Sequence, residues 1–267
     1  PAAVCRVLAS RGHDAPDGAK RFLRPLAEHL HDPAALADAP RAAERLARAV
    51  ERRETIFVHG DYDVDGVCAT PLFPRYLRGA GAAVVPFVPH RVRDGYDLSS
   101  AGLAAARAAG AAVLLTADCG TVASGPVAEA RAAGMDVIVT DHHAVGPDAA
   151  RATALVNPHR PDCPYPDKAL CGAGVAFKVC ELVGRLLGRP PEELQGYLDL
   201  VALATVADLV PLQGENRVLV RLGLRRFAAT RATGLSALLT RAGVDPASVT
   251  AGQLGFVVAP RINAVGR

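Results

Sequence analysis

Aromatic residues are scarce in this chain: they make up 4% of its 267 residues, and there is no Trp. Proteins that hold single-stranded nucleic acid without sequence preference use rows of aromatic side chains on which the bases stack. The composition therefore gives no support for an extended stacking surface. Tyr96 is the one aromatic residue that we select as a candidate substrate contact.

Paired cysteines and long apolar runs are absent as well. The six cysteines are scattered and none occurs as Cys-x-x-Cys, which argues against a structural zinc site. We expect these thiols to be reduced and to behave as small apolar side chains. No apolar run approaches the roughly 18 residues that span a bilayer, and no signal peptide is recognisable. We therefore predict a cytoplasmic protein with no membrane association.

Half of the residues are hydrophobic, which is enough for one large domain or for a domain with a helical appendage. The formal net charge is only +3, which permits binding to an acidic polymer without requiring it. The cations are almost all arginine, whose planar fork matches phosphate oxygens. Because the chain does not begin with Met, we expect it to be a piece of a longer protein.

Strand and helix patterns alternate after an initial helical stretch. Residues 1–53 are rich in Ala, Leu and Arg and are predicted to form a helical extension. Five short apolar segments then read as strands: Thr55–Val58, Ala83–Val88, Ala111–Thr116, Asp136–Thr140 and Ala154–Val156. The helical segments between them predict a parallel sheet with helices on its faces.

The helix after the first strand contains Pro71 and Pro74, so we expect it to start late or to be kinked. After Gly174 only helical patterns follow, among them Glu192–Ala204 and Asn216–Ala229. We therefore predict an α/β fold in three parts: the helical extension 1–53, an α/β domain 54–190 and a helical remainder 191–267.

Acids and histidines follow three of the predicted strands: His59, Asp61, Asp63 and Asp65 after the first, Asp118 after the third, and Asp141, His142 and His143 after the fourth. Because ligands bind beyond the carboxyl ends of parallel strands, these side chains should share one rim. Carboxylates within about 4–6 Å repel one another, and divalent cations remove that repulsion. Oxygen ligands with imidazole suit Mn²⁺ or Mg²⁺ better than structural zinc. Paired metals are typical of phosphate-ester hydrolysis.

Asp208 is a further candidate, because it lies in the almost entirely apolar segment Val201–Leu212. A buried carboxylate there needs a cation or a proton. Each acid has a simpler interpretation when taken alone: the Asp-x-Asp loop is typical of a turn, Asp118 of a helix cap, and Asp208 of a solvent-facing residue. Together the clusters favour a metal site.

In this order the clusters resemble the DHH phosphoesterase superfamily, named for the run that here is Asp141-His142-His143. Within it the chain is similar to the bacterial RecJ single-strand exonucleases. The matching stretches are His59–Gly66, Pro86–Tyr96, Thr116–Gly120, Val139–Ala144, Cys171–Lys178, Ala204–Leu212 and Ala259–Arg267. The whole set in register is far more specific than the DHH run alone.

The resemblance implies a centre with two divalent ions, Mn²⁺ or Mg²⁺. The implied ligands are His59 and Asp63 for one ion, and Asp65, His142 and Asp208 for the other. Asp118 would bridge the two ions, and His143 would stabilise charge on the scissile phosphate. Asp61 and Asn263 would be supporting residues.

The resemblance also implies a substrate. Arg91 and Arg261 would grip the terminal phosphate or the backbone of the strand, and Tyr96 lies in the same matching stretch as Arg91. The family reaction is hydrolysis of single-stranded DNA from its 5′ end, in DNA repair and recombination. The implied partners of the monomer are single-stranded DNA, a single-strand-binding protein and a helicase.

Some positions have other interpretations or depart from the family pattern. Taken alone, Arg91 is typical of an ordinary surface cation. Taken alone, Arg261 is typical of a cation at a helix end that faces the backbone carbonyls. We expect Gly172 and Gly174 to permit a tight helix start rather than to line the site. The family usually has Gly-Ile-His-Pro where this chain has Asp97–Ser100, which changes the local loop. It also continues into a second domain with a Gly-Gly-His motif, which is absent here.

Two other functions stay open. One is a phosphoesterase that acts on short oligonucleotides, cyclic dinucleotides or phosphoadenosine phosphate. The other is a non-catalytic DHH scaffold that binds DNA, which the presence of all six implied ligands disfavours.

Overall fold

The computed structural model describes residues 2–265. Pro1, Gly266 and Arg267 lie outside the described residues. Pro1 is the first residue of the predicted helical extension. Gly266 and Arg267 end the predicted helical remainder and also the final matching stretch. Within the described part, no helix is long and apolar enough to cross a bilayer.

Five parallel strands form one sheet in the described part of the chain, in the order β2-β1-β3-β4-β5. Their bounds are β1 Thr55–Gly60, β2 Ala83–Phe87, β3 Val113–Ala117, β4 Asp136–Thr140 and β5 Ala154–Val156. The predicted parallel α/β sheet is therefore confirmed. β1 is two residues longer than predicted, because His59 and Gly60 pair with Thr116 and Ala117 of β3. His59 is thus a strand residue and not a loop residue.

The helices of the described part are numbered here in chain order. Their bounds are α1 Ala2–Ser10, α2 Pro16–Leu23, α3 Ala39–Glu51, α4 Val64–Gly79, α5 Ser100–Ala108, α6 Ser124–Ala132, α7 Gly172–Leu186, α8 Pro191–Gln195, α9 Leu198–Ala207, α10 Gly214–Leu224, α11 Thr233–Ala242, α12 Ala251–Gln253 and α13 Ala259–Val265. Short 3-10 segments occur at Ala27–His29, Pro33–Ala35 and Phe227–Ala229, and a π-helical segment, Leu254–Val258, joins α12 to α13.

Helices cover both faces of the sheet. On one face Leu103 of α5 and Val127 of α6 pack with Leu114 of β3. The larger apolar cluster on the other face takes in α3, α4 and α7. Burial on both faces explains why β1, β3, β4 and β5 are nearly continuous apolar runs rather than alternating ones. The edge strand β2 is largely exposed.

Helix α4 does not start late, so that part of the prediction is wrong. It begins at Val64, directly after Asp63, whose Oδ1 caps it by accepting from the Gly66 N–H at 3.0 Å. It then continues through Pro71 and Pro74. A proline inside a helix costs about 3 kcal/mol, and burial of eleven residues of α4 offsets that cost.

The helical remainder differs from the prediction in detail. The segment predicted as one helix over Glu192–Ala204 is two helices, α8 and α9, separated at Gly196 and Tyr197. The helix predicted to end at Ala229 ends at Leu224. One apolar cluster joins α3, α7 and α9 across the predicted boundary at residue 190, and the three-part division remains a prediction.

Candidate metal centre

The carboxyl ends of β1, β3 and β4 meet at one edge of the sheet, where the acid and histidine clusters lie side by side. The Asp118 N–H donates to the Thr140 carbonyl at 2.9 Å, which ties the loop after β3 to the end of β4. Asp118 itself has a φ of 67°. A left-handed backbone costs a residue other than glycine about 1 kcal/mol or more. Such strain is typical of functional sites, where the surrounding structure enforces it.

His142 lies at the centre of the acid cluster. Its Nε2 atom is 3.2 Å from Oδ1 of Asp118 and 3.6 Å from Oδ2 of both Asp65 and Asp208. Asp65 lies in the first turn of α4 and Asp208 directly follows α9, so elements far apart in sequence place donors around one point. The structure thus brings together Asp65, His142 and Asp208, the three ligands implied for one ion, with Asp118 beside them.

The two carboxylate oxygens of Asp118 have no hydrogen-bond partner in the described part of the chain. Its side chain is buried, and neither oxygen accepts a hydrogen bond within residues 2–265. The same is true of Nε2 of His142. A buried polar atom without a partner costs about 1–3 kcal/mol, and native proteins satisfy nearly all such atoms. Facing carboxylate and imidazole donors of this kind fit divalent cations of the Mn²⁺ and Mg²⁺ class.

Three sets of side chains in the described part bring their donor atoms within 4.8 Å of one another: Asp65, His142 and Asp208; Asp61, Asp63 and Asp118; and Asp118, His142 and His143. Asp118 and His142 each belong to two of these sets, and the bridging role of Asp118 remains a prediction. Asp61, expected to be a supporting residue, lies with Asp63 as a possible ligand.

His59 belongs to none of these three sets. It is buried at the end of β1, where its Nδ1 lies 3.8 Å from the Cys119 Sγ. A Cβ on Gly102 would lie 2.5 Å from its Nε2, so the ring packs against the first turn of α5. Its Nε2 atom has no hydrogen-bond partner in the described residues. The role of His59 as a ligand remains a prediction.

Burial and mutual repulsion raise the pKa values of Asp65, Asp118 and Asp208 when no cation is bound. Burial raises the pKa of Asp118 well above its ordinary value, and the Asp65 and Asp63 carboxylates add to this effect. Burial and the charge of Asp208 raise the pKa of Asp65 to about 7, and burial raises the pKa of Asp208 to about 6. Burial also lowers the pKa of His142 to about 4, which leaves its imidazole neutral and able to bind a metal.

Gly172 is a residue of the site that sequence reasoning missed. Its backbone N–H and that of Ala173, at the N-terminus of α7, donate to the Asp65 carboxylate at 2.6 and 2.8 Å. A Cβ on Gly172 would lie 2.4 Å from Oδ1 of Asp118. The interpretation of Gly172 as a residue that only permits a tight helix start is therefore wrong. The atoms nearest to a Cβ on Gly174 would belong to Leu170 and Cys171, at 3.4 Å or more, and the role of Gly174 at the helix start remains a prediction.

Asp141 orients His143, a role that the sequence alone did not reveal. Its Oδ1 accepts from His143 Nδ1 at 2.8 Å and from the His142 N–H at 2.7 Å, and its Oδ2 accepts from the Thr121 N–H at 2.9 Å. Asn157 adds a bond from its side-chain amide to the His143 carbonyl at 2.9 Å. The hydrogen bond with Asp141 raises the pKa of His143 to about 9. His143 is therefore an imidazolium at neutral pH.

A cavity of about 270 Å³ opens beside the acid cluster. It is lined by Asp61, Tyr62, Asp63, Arg91, Tyr96, His143 and Asn263. The Tyr96 hydroxyl lies 3.4 Å from His143 Nε2. Asn263 accepts from the Val64 N–H at 3.2 Å, so α13 contacts the start of α4 at this cavity. The cavity therefore combines cationic, aromatic and amide groups on the open side of the acids.

The two arginines selected from the sequence have different surroundings. The Arg91 guanidinium carbon lies 5.1 Å from the centre of the Tyr62 ring, at the cavity. Arg261 is exposed, donates to the Val257 carbonyl of the preceding turn, and is not among the lining residues. Its position matches the helix-end interpretation, and the structure does not bring it to the cavity.

Known proteins resemble the chain in sequence and in structure. The model of the DHH family, N-terminal domain, matches residues 55–205. The single-stranded-DNA-specific exonuclease RecJ of Bacillus subtilis is 39% identical over 264 residues, which cover 99% of this chain and 33% of that protein.

Two solved structures are similar over most of the chain. RecJ from Thermus thermophilus in complex with Mn²⁺ superposes with a TM-score of 0.80 at 35% identity, covering 99% of this chain and 36% of that one. An exonuclease RecJ bound to manganese superposes with a TM-score of 0.79 at 37% identity, covering 91% and 59%. The chain spans about a third of the length of the Bacillus relative.

Proposed function

Because this chain belongs to the DHH family, we propose that it is the catalytic core of a metal-dependent exonuclease that hydrolyses single-stranded DNA from the 5′ end. The RecJ proteins to which it is similar are named for single-stranded DNA, and two of their structures contain manganese. Since the chain spans only part of these relatives, the activity of the whole protein is part of the proposal.

The arrangement of His142 and Asp118 carries the proposal. Three acids surround one neutral imidazole nitrogen at 3.2–3.6 Å, and the buried oxygens of Asp118 have no partner in the described part of the chain. Asp65, His142 and Asp208 would hold one divalent ion, and Asp63 with Asp118 would hold a second. When bound, the ions supply positive charge for phosphate oxygens and lower the pKa of water.

The remaining groups bind and orient the substrate. His143 presents its protonated Nε2 at the cavity, where it stabilises charge that develops on a phosphate oxygen. Asp141 fixes the ring through Nδ1 and keeps it protonated. Arg91 offers a planar fork to a phosphate at the cavity edge, and Tyr96 and Asn263 line the same space.

The experiment is a cleavage assay with a single-stranded 20-mer that carries its label at either the 5′ or the 3′ end. With Mn²⁺, the chain should release nucleotides from the 5′ end, and EDTA should abolish the reaction. A duplex 20-mer and a dinucleotide serve as comparison substrates. Asp118→Asn should be inactive, whereas Asp148→Asn, at an exposed acid after β4, should match the wild type.

Other outcomes would contradict the proposal. Cleavage of the dinucleotide but not of the 20-mer would favour a phosphoesterase for short substrates. Binding of the 20-mer without metal-dependent cleavage would favour a DHH scaffold. Action as a cytoplasmic monomer beside a single-strand-binding protein and a helicase remains a prediction implied by the resemblance.

A further inference from the structure

Helix α10 and its C-terminal cap residue carry a stripe of arginines on one face. Arg217, Arg221 and Arg225 follow one another at intervals of four residues, so their side chains lie one above the other. Within residues 2–265 none of the three forms an ion pair. Burial and the neighbouring charge of Arg221 lower the pKa of Arg217. Like charges at this spacing destabilise a helix, so the stripe works against stability of the fold.

The N-terminal helix α2 adds cations beside this stripe. The Arg217 guanidinium stacks on the Phe22 ring at 3.7 Å and donates to the Phe22 carbonyl at 2.5 Å, which docks α2 against α10. Arg21 and Arg24, on either side of Phe22 in sequence, are exposed. Neither pairs with an acid in the described part of the chain.

Three adjoining cavities connect these cations into one furrow. A cavity of about 550 Å³ and one of about 240 Å³ share Arg21 and His29, and the second shares His31 with a third cavity of about 650 Å³. Arg217 lines the second cavity and Arg225 the third. Arg221 lines none of the three cavities but lies between these two arginines on the same helix face. We call the furrow flanked by the following residues the basic furrow: Arg21, Arg24, Arg217, Arg221 and Arg225.

Each acid that lines the basic furrow pairs with a cation, and cations outnumber acids along the furrow. Asp17 pairs with Lys20 at 3.7 Å, Asp32 and Glu181 both pair with Arg185 at 2.7 Å, and Glu215 pairs with Lys178 at 2.5 Å. The furrow therefore presents a surplus of positive charge, although the whole chain carries a formal net charge of only +3.

We propose that the basic furrow binds the phosphodiester backbone of a single-stranded nucleic acid. The stripe on α10 extends for about 12 Å at a rise of about 1.5 Å per residue, which suits a polyanion better than a single phosphate. A DNA strand presents a charge about every 3.4 Å, and arginine forks bind phosphate oxygens in pairs. The basic furrow shares no lining residue with the cavity at the metal centre. It is thus a second contact for long substrates, an inference that rests on the proposed function.

The test measures binding and cleavage separately. The probe is a fluorescein-labelled 30-mer of deoxythymidine, titrated in EDTA so that no cleavage occurs, at several salt concentrations. The variant is Arg221→Ala/Arg225→Ala. Its matched control is Arg41→Ala/Arg48→Ala, which removes two exposed arginines of α3 that form no ion pair within residues 2–265.

The furrow variant should bind the 30-mer about 10-fold more weakly than the control, and the slope of log K against log salt should fall by about 1.4, or about 0.7 for each lost phosphate contact. Its Mn²⁺-dependent hydrolysis of a 5′-phosphorylated trinucleotide should equal that of the wild type, because the metal centre is untouched. A Kd and a salt slope equal to those of the control would overturn the inference.

Competition with a 20-residue poly-glutamate distinguishes an acidic protein partner. Loss of poly-glutamate binding in the furrow variant, with 30-mer binding intact, would also overturn the inference. Failure of the proposed function is recognised independently: the wild type would then cleave no single-stranded DNA in Mn²⁺, whatever the EDTA titrations show.

Discussion

The backbone N–H of Gly172 donates to Oδ2 of Asp65 at 2.6 Å, so the N-terminus of α7 directly supports a predicted metal ligand. The same glycine leaves the space that the Asp118 carboxylate occupies, since a Cβ would lie 2.4 Å from its Oδ1. One residue without a side chain thereby contacts two acids from different elements, Asp65 in the first turn of α4 and Asp118 in the loop after β3.

Gly172→Ala should weaken Mn²⁺ binding about 10–100-fold, the range typical of changes behind metal ligands. The added methyl group displaces Asp118, while helix propensity favours the alanine, so the variant should stay folded. Isothermal titration with Mn²⁺ measures the effect. Gly174→Ala is the matched control, since the atoms nearest to its methyl group belong to Leu170 and Cys171 at 3.4 Å or more. Equal affinity in both variants would refute this account of Gly172.

Asp118→Asn should stabilise the metal-free protein. Burial and the nearby carboxylates make an ionised Asp118 unfavourable without a cation, and asparagine removes that charge. A gain of about 1 kcal/mol corresponds to a rise in Tm of about 2–4 °C for a chain of this size. Mn²⁺ should raise the Tm of the wild type but not of the variant, because ligand binding stabilises only the state that binds it. Thermal unfolding in EDTA and in Mn²⁺ checks both effects; a lower Tm in EDTA would contradict them.

Asp141→Asn should change the pH dependence of cleavage. The pKa of His143 is raised to about 9 by its bond to Asp141, so its proton is held below that pH and lost as the pH rises through it. The wild-type kcat should therefore fall above about pH 9. In the Asp141→Asn variant, the pH at which kcat falls should move toward about 6.5, the ordinary pKa of histidine. Pre-steady-state rates from pH 6 to 10 measure this, with Asp148→Asn as the control. An unchanged alkaline limb would exclude the assigned role of Asp141.

His143→Ala should lower kcat about 10²–10³-fold, since it removes a charge aimed at the phosphate, while leaving Mn²⁺ affinity nearly unchanged. Single-turnover rates and metal titrations on the same sample separate the two effects. A large loss of Mn²⁺ affinity would instead make His143 a ligand, as its proximity to Asp118 and His142 also allows.

The sequence predicts the sheet and most of the acid cluster because both depend on order along the chain. Short apolar runs followed by Asp63, Asp118 and His142 are sufficient to place these residues at the carboxyl ends of parallel strands. Asp208 follows a helix and not a strand. It was predicted as a ligand because the segment around it in the sequence is almost entirely apolar.

Contacts between distant segments could not be predicted in this way. The space beside Gly172 depends on how closely α7 approaches Asp118. The start of α4 depends on a cap from Asp63, and its passage through two prolines depends on burial of the helix. The side-chain direction of Arg261 is a further example: its matching motif predicts a substrate contact, which stays a prediction, and its side chain donates to the Val257 carbonyl of the preceding turn. Side-chain direction follows from tertiary packing, which no spacing pattern records.

The most direct test of the central claim is anomalous scattering from crystals of this chain soaked in Mn²⁺. The account predicts two peaks next to Asp118, one within bonding distance of Asp65, His142 and Asp208, and the other beside Asp63. Crystals that diffract well but show no anomalous peak near Asp118 would contradict it.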